Sequence, residues 1–159
     1  MPHKSRIREW SVVALLSTYV VIVLLVTMSP TPVDQGFSSA IDKVLAVLHR
    51  NGVPEWFGYN KLEFSANIAM FAPIGFLVAL ALPARVWWLA LIVCPAFSGG
   101  IEYVQGAVLT ERFSTLSDLI ANSIGAVIGI LFAVILRALV HHRDEIMITE
   151  ALRQRGIPA

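Results

Sequence analysis

The sequence predicts an all-α polytopic membrane protein with four transmembrane helices. Hydrophobic residues make up 57% of the 159-residue chain and charged residues only 14%, and the mean hydropathy is +0.72, more apolar than in ordinary soluble domains. About 20 mostly apolar residues are needed to cross roughly 30 Å of hydrocarbon. Four segments meet that requirement, at about 11–28, 62–82, 86–108 and 116–140.

Charge and cysteine content exclude several classes of function. The net charge is +1 and the basic residues are scattered, so no basic stripe follows a phosphate backbone and no nucleic-acid partner is expected. The single cysteine, Cys94, lies within an apolar run, without a disulfide partner or a CxxC or Cys/His metal spacing. We interpret it as a packing or lipid-facing residue. The sequence identifies no cofactor.

The first apolar segment has two interpretations. Lys4, Arg6 and Arg8 precede it, as basic residues precede a secretory signal peptide. However, a signal typically has about 7 to 15 apolar residues before a small-x-small cleavage site, whereas this segment is longer and is followed by Thr-Met-Ser-Pro at 27–30. A transmembrane helix is therefore the expectation.

The distribution of Lys and Arg predicts the orientation, because positive charge near helix ends stays in the cytoplasm. With four spans both termini share one side. Eight basic residues fall on that side and four on the other: Lys4, Arg6, Arg8, Arg85, Arg137, Arg143, Arg153 and Arg155 against Lys43, Arg50, Lys61 and Arg112. We expect cytoplasmic segments at 1–10 and 141–159 around a membrane domain at 11–140, with the C-terminal tail a solvated helix.

The first outer loop, about 29–61, is long enough to hold structure. Apolar residues recur there at helical spacing, which predicts a short helix in the outer membrane interface: Ile41, Val44, Leu45 and Leu48. Trp56, Phe57 and Tyr59 follow as an aromatic group typical of headgroup depth.

Polar side chains inside the spans are costly in hydrocarbon and few in number. They form what we call the polar cluster: Asn67 in span two, Glu102 and Gln105 in span three, and Asp118 and Asn122 in span four. At about 1.5 Å per residue, Asn67, Glu102 and Asn122 lie roughly 7 to 9 Å below the outer boundary. An antiparallel hairpin about Arg112 places Glu102 level with Asn122, and Gln105 nearly level with Asp118.

Helical spacing also predicts shared faces. Spans two, three and four each have one stripe: Asn67, Phe71 and Ile74; Pro95, Ser98, Glu102 and Gln105; Asp118, Asn122, Gly125 and Gly129. The GxxxG step from Gly125 to Gly129 permits close approach of another helix. Pro73 removes a backbone hydrogen bond from span two and is a candidate kink.

The polar cluster suits general acid–base chemistry on a phosphate-bearing lipid headgroup. Two carboxylates in a dry site repel, which leaves an acid beside a base. Glu102 and Asp118 are the catalytic candidates. The guanidinium of Arg112 matches phosphate, and the amides of Asn67, Gln105 and Asn122 are candidates to bind substrate oxygens.

Three other interpretations remain open. The cluster is also compatible with structural hydrogen bonding between helices, and the segment from Thr115 to Asp118 fits a helix capping box. A divalent cation has less support, because two carboxylates are few ligands and no His lies in the cluster, so no metal site is predicted. Transport is the weakest alternative, because the inner halves of the spans are almost wholly apolar.

Four motifs resemble those of the VanZ-like family of bacterial membrane proteins. They are Asn67–Phe76 (NIAMFAPIGF), Ile101–Gln105 (IEYVQ), Arg112, and Ser117–Ala126 (SDLIANSIGA), and the similarity extends over about 42–136. The resemblance implies a multi-pass protein of the bacterial plasma membrane. The family is named for a member linked to teicoplanin resistance and has been grouped with enzymes that process lipid headgroups.

Two functions are therefore expected. The first is an enzyme acting on the phosphate-linked headgroup of a membrane lipid or lipid carrier at the outer leaflet, with an active site built from the polar cluster. The second is a non-catalytic protein that binds an envelope lipid or a partner and so contributes to glycopeptide resistance.

Overall fold

The computed structural model describes residues 3–28, 38–108 and 116–154, with side chains from Ile7 onwards except that of Arg8. These residues form helices and short connections, with no β-strand among them. The helices are α1 (His3–Thr27), α2 (Ser38–Arg50), α3 (Tyr59–Ala81), α4 (Ala90–Val108) and α5 (Leu116–Gln154), and a 3-10 helix (Ala84–Leu89) precedes α4.

Four segments of the described chain are long and apolar enough to cross a membrane: Glu9–Thr27, Tyr59–Ala81, Ala84–Val108 and Leu116–Gln154. The predicted all-α fold class with four candidate spans is thus confirmed. The side of the membrane on which each terminus lies stays a prediction.

Two spans differ in detail from the predicted ones. The third begins after Pro83 as a 3-10 helix whose Val86 has a non-helical backbone (φ −125°, ψ 18°). Short 3-10 turns are common at the ends of α-helices. The fourth continues without a break to Gln154, so the predicted solvated tail helix is the exposed end of α5. Pro73 lies inside α3, which runs through it as one helix.

The short helix predicted in the first outer loop is α2. Ile41, Leu45 and Leu48 on one side of it are half-buried, whereas Val44 is exposed. Its placement at the membrane interface stays a prediction.

The closest helix packing joins α3 to α5. Gly125 lies against the Ile68 backbone, and Gly129 lies against that of Ala72, in both cases 57 positions earlier in the chain. A constant separation in sequence means that α3 and α5 run in the same direction, with α4 returning between them. A methyl group on Gly129 would collide with the Ala72 carbonyl and come within 2.7 Å of the Phe76 nitrogen, so only glycine permits this approach.

Arg137 of α5 holds the C-terminal end of α3. Its Nη2 donates hydrogen bonds to the carbonyl oxygens of Leu80 at 2.9 Å and Leu82 at 2.6 Å. The last carbonyls of a helix have no intrahelical donor, and here a charged side chain of α5 supplies one.

The apolar core lies beside this pair and is small. Phe71 of α3 is fully buried and contacts Phe97 of α4, with ring centroids 6.3 Å apart. On the side of α1, the Tyr19 hydroxyl donates to the Met70 carbonyl at 3.0 Å. The buried residues of this cluster come from all four long helices: Val23, Phe71, Ile74, Cys94, Ile101 and Ala126. Cys94 is thus a core residue, in agreement with its predicted packing role.

Two glycines provide a matched test of the α3–α5 contact. Gly129→Ala places a methyl group on the α3 backbone and should lower the free energy of unfolding by about 1–3 kcal/mol. Gly100→Ala, in α4, has open space around the new methyl group and should be neutral or slightly stabilising. Thermal unfolding of both variants in detergent measures the difference. Equal midpoints would contradict the close packing.

The Arg137 cap is tested by replacing its donors while keeping its length. Arg137→Met leaves the Leu80 and Leu82 carbonyls without this donor and should cost about 1–3 kcal/mol of unfolding free energy. Arg143→Met removes an exposed arginine of the same helix and serves as the control, with a change within about 0.5 kcal/mol. Denaturant unfolding of the two variants in one detergent is the measurement, and indistinguishable losses would rule out the cap.

Candidate functional site

The polar cluster lies at one end of the bundle, which we call the polar end. The last turns of α1 and α4, the third turn of α3 and the start of α5 meet there. Hydrogen bonds join α1 to α4, α3 to α5 and α4 to α5. The described residues of the predicted site therefore all lie at the polar end of the bundle. They do not all contact one another.

Asn67 and Asp118 form a direct pair across the α3–α5 contact. The amide nitrogen of Asn67 donates to Asp118 Oδ1 at 2.8 Å, and both side chains are half-buried. Asp118 lies in the first turn of α5, where the helix dipole favours a negative charge. The pair fixes the position of one predicted catalytic carboxylate.

Asn122 lies deeper, between α5 and α4. Its amide nitrogen donates to the Ser98 hydroxyl at 2.9 Å, and the two side chains are 4% and 0% exposed. Its carbonyl oxygen Oδ1 is buried and has no hydrogen-bond partner among the described residues. Because a hydroxyl both donates and accepts, flipping the amide would merely exchange the atom left over. One polar atom of Asn122 is thus buried without a hydrogen-bond partner from the described residues.

Glu102 lies one helical turn from Ser98, on the same face of α4 and nearer the polar end. Its side chain is half-buried, and its oxygen Oε2 is inaccessible to solvent. Counting residues in both directions from the loop between spans three and four predicts that Glu102 is level with Asn122. In the structure, Asn122 instead hydrogen-bonds to Ser98. The register differs because it is set by the packing of α5 against its neighbours, not by symmetry about the loop.

Gln105 turns away from Asp118. Its amide nitrogen donates to the backbone carbonyl of Thr27, at the end of α1, at 2.8 Å, and the side chain is only 7% exposed. Thr27 in turn donates its hydroxyl to the Val23 carbonyl at 2.9 Å. Gln105 thus ties α1 to α4. Its predicted role as a substrate ligand stays a prediction.

Arg112, the predicted phosphate ligand, lies outside the described residues, as does Thr115 of the alternative capping box. Within residues 3–28, 38–108 and 116–154, no three His, Cys, Asp or Glu side chains are grouped so as to hold a metal ion. The described part of the site therefore offers carboxylates, amides and a hydroxyl.

Sequence reasoning placed Ser98 on the polar stripe of α4 but did not include it in the site, and it missed Thr27. A hydroxyl is inexpensive in a membrane helix because it can bond to the backbone of its own helix. Nothing in the sequence therefore marks Ser98 as special except its four-residue spacing from Glu102, and the acceptor on Thr27 is a backbone carbonyl that any residue would supply.

The fold and the polar end together define an α-helical membrane protein with four candidate spans and a cluster of carboxylates and amides at one end. The chain belongs to the VanZ/LLP1 family, whose model matches residues 14–137. Comparison with curated proteins and with solved structures gives no match.

A double-mutant cycle measures the pair between Asn67 and Asp118. Asn67→Ala and Asp118→Ala should be non-additive, with a coupling energy of about 0.6–1.7 kcal/mol, the range found for hydrogen bonds between membrane helices. Reversible unfolding of the wild type, both single variants and the double variant gives the value. Additive losses would mean that the pair contributes nothing to holding α3 on α5.

Proposed function

We propose that this VanZ/LLP1 protein is an enzyme that acts on the phosphate-linked headgroup of a membrane lipid or lipid carrier at the outer leaflet of the bacterial plasma membrane. The observation that carries the proposal is the buried Oδ1 of Asn122, which has no hydrogen-bond partner among the described residues. The amide nitrogen of Asn122 donates to Ser98, which lies one helical turn from Glu102 in α4. Burying an amide atom without a partner costs about 1–3 kcal/mol. A bound substrate that donates to this atom recovers that cost.

The contacts favour a division of roles between the two carboxylates. Asp118 has one oxygen engaged by Asn67, so its position is fixed by the α3–α5 pair. We assign Asp118 to orienting the substrate and Glu102 to general-base catalysis. Glu102 would take the proton of an attacking hydroxyl as its oxygen bonds to phosphorus and the original phosphate ester bond breaks. The proton then passes from Glu102 to the departing oxygen.

The amides and Arg112 complete the assignment. Asn122 would bind a headgroup hydroxyl through Oδ1, while Asn67 and Gln105 hold the helices that frame the headgroup. Arg112 would bind the phosphate, since its guanidinium supplies paired donors.

The test is lipid turnover by the reconstituted protein. Wild-type and Glu102→Gln proteins are incorporated in vesicles of a bacterial polar lipid extract supplemented with a polyprenyl diphosphate, and headgroups are followed by mass spectrometry. Loss of general-base catalysis should lower the rate by about 100-fold or more. Glu63→Gln removes an exposed carboxylate at the same end of the bundle and should leave turnover unchanged.

Thermal unfolding of the same samples separates the alternatives. Lost turnover with an unchanged midpoint supports catalysis, whereas parallel losses of both assign Glu102 to holding the bundle together. Equal turnover by wild type and Glu102→Gln would overturn the assignment of Glu102 as general base. No turnover by either protein would favour a non-catalytic role in glycopeptide resistance.

A further inference from the structure

Helix α2 carries an apolar strip that the rest of the described protein leaves uncovered. Val44 and Val47 are 46% and 55% exposed, and Ala40 beside them is exposed as well. None of the residues of α2 is buried. At 100° per residue these three side chains form one continuous stripe, with the exposed Lys43 at its edge.

The rotation of α2 is fixed by contacts at its C-terminal end. His49 Nε2 lies 3.1 Å from the Phe57 carbonyl oxygen, and Nδ1 lies 3.3 Å from a carboxylate oxygen of Glu55. His49 is on the side of the half-buried Leu45, away from Val44. The histidine therefore holds one side of α2 to the loop before α3 and turns the apolar strip outwards.

The chain keeps this strip close to the membrane. α2 lies between two candidate spans, and only eight residues separate its end at Arg50 from the start of α3 at Tyr59. In that connection Trp56 is 69% exposed, and the Lys61 ammonium group lies 6.0 Å from the centre of its ring. Exposed Trp beside Lys is typical of the depth of lipid headgroups.

We propose that α2 docks on the headgroup layer of an anionic bilayer, with Val44 and Val47 entering the boundary with the acyl chains and Lys43 contacting lipid phosphates. Charge complementarity selects this occupant, because Lys43 and Lys61 border the apolar surfaces that face outwards. The inference concerns a surface separate from the polar cluster and does not depend on catalysis.

Nitroxide labels on two faces of α2 test the proposal. Cys94 is the only cysteine, so Cys94→Ala gives a background into which Val44→Cys or Ala46→Cys is introduced. Both positions are exposed in the protein, but they lie on opposite sides of α2. In vesicles of phosphatidylcholine with phosphatidylglycerol, the label at 44 should collide severalfold more with oxygen than with a water-soluble nickel chelate. The label at 46 should show the reverse.

Charge is tested on the label at position 44. Lys43→Gln should reduce its preference for oxygen in the vesicles with phosphatidylglycerol and change it less in pure phosphatidylcholine. Arg143→Gln removes the same charge from the exposed end of α5 and should leave the preference unchanged.

Two outcomes would overturn the proposal. Equal access of the nickel chelate to both labels would mean that both faces of α2 are exposed to water. Shielding at 44 that disappears when the protein is diluted with excess lipid would mean that a second copy of the chain, and not the bilayer, covers the strip.

Discussion

The backbone contact between α3 and α5 is the constraint on which the rest of the structure depends. Lipid chains are as apolar as leucine, so helices in a membrane gain little from apolar burial and associate through close packing and hydrogen bonds. Gly125 and Gly129 allow α5 to meet α3 backbone to backbone. Only at that distance can a side chain as short as Asn67 reach Asp118, while Arg137 reaches past the end of α3. One contact thus positions both the candidate site and the cap at the opposite end.

The sequence predicts much of this fold, and what it does not predict has physical causes. Length and hydropathy predict the spans, and the GxxxG step predicts that α5 packs closely on another helix. The partner of Gln105 was not predictable, because the rotation of α4 depends on how Phe71, Phe97 and their neighbours fill the core. Arg137 was counted as a cytoplasmic charge. Its role as a cap follows from the parallel register of α3 and α5. The sequence does not reveal that register.

The contacts at the polar end distinguish residues with a structural role from the candidate for ligand binding. Hydrogen bonds between membrane helices average about 0.6 kcal/mol, so Asn67 and Gln105, each donating to a neighbouring helix, are adequately explained as structural. Asn122 differs. Its one bond to Ser98 gains less than the cost of burying Oδ1 without a partner among the described residues, which is about 1–3 kcal/mol. Selection for stability alone would favour an apolar residue at this position. This imbalance supports the proposal that Asn122 binds a ligand through Oδ1.

The proposed docking of α2 on the bilayer would give the candidate site a defined depth. α2 follows the end of α1 at Thr27 and precedes the start of α3 at Tyr59, so it is attached to the polar end at both of its own ends. A helix docked at the headgroup layer holds the first turn of α3 at the membrane surface. Asn67 begins the third turn of that helix, roughly 12 Å further along its axis at 1.5 Å per residue. Under this proposal, that distance would suit groups that receive the phosphate of a lipid whose chains remain in the bilayer.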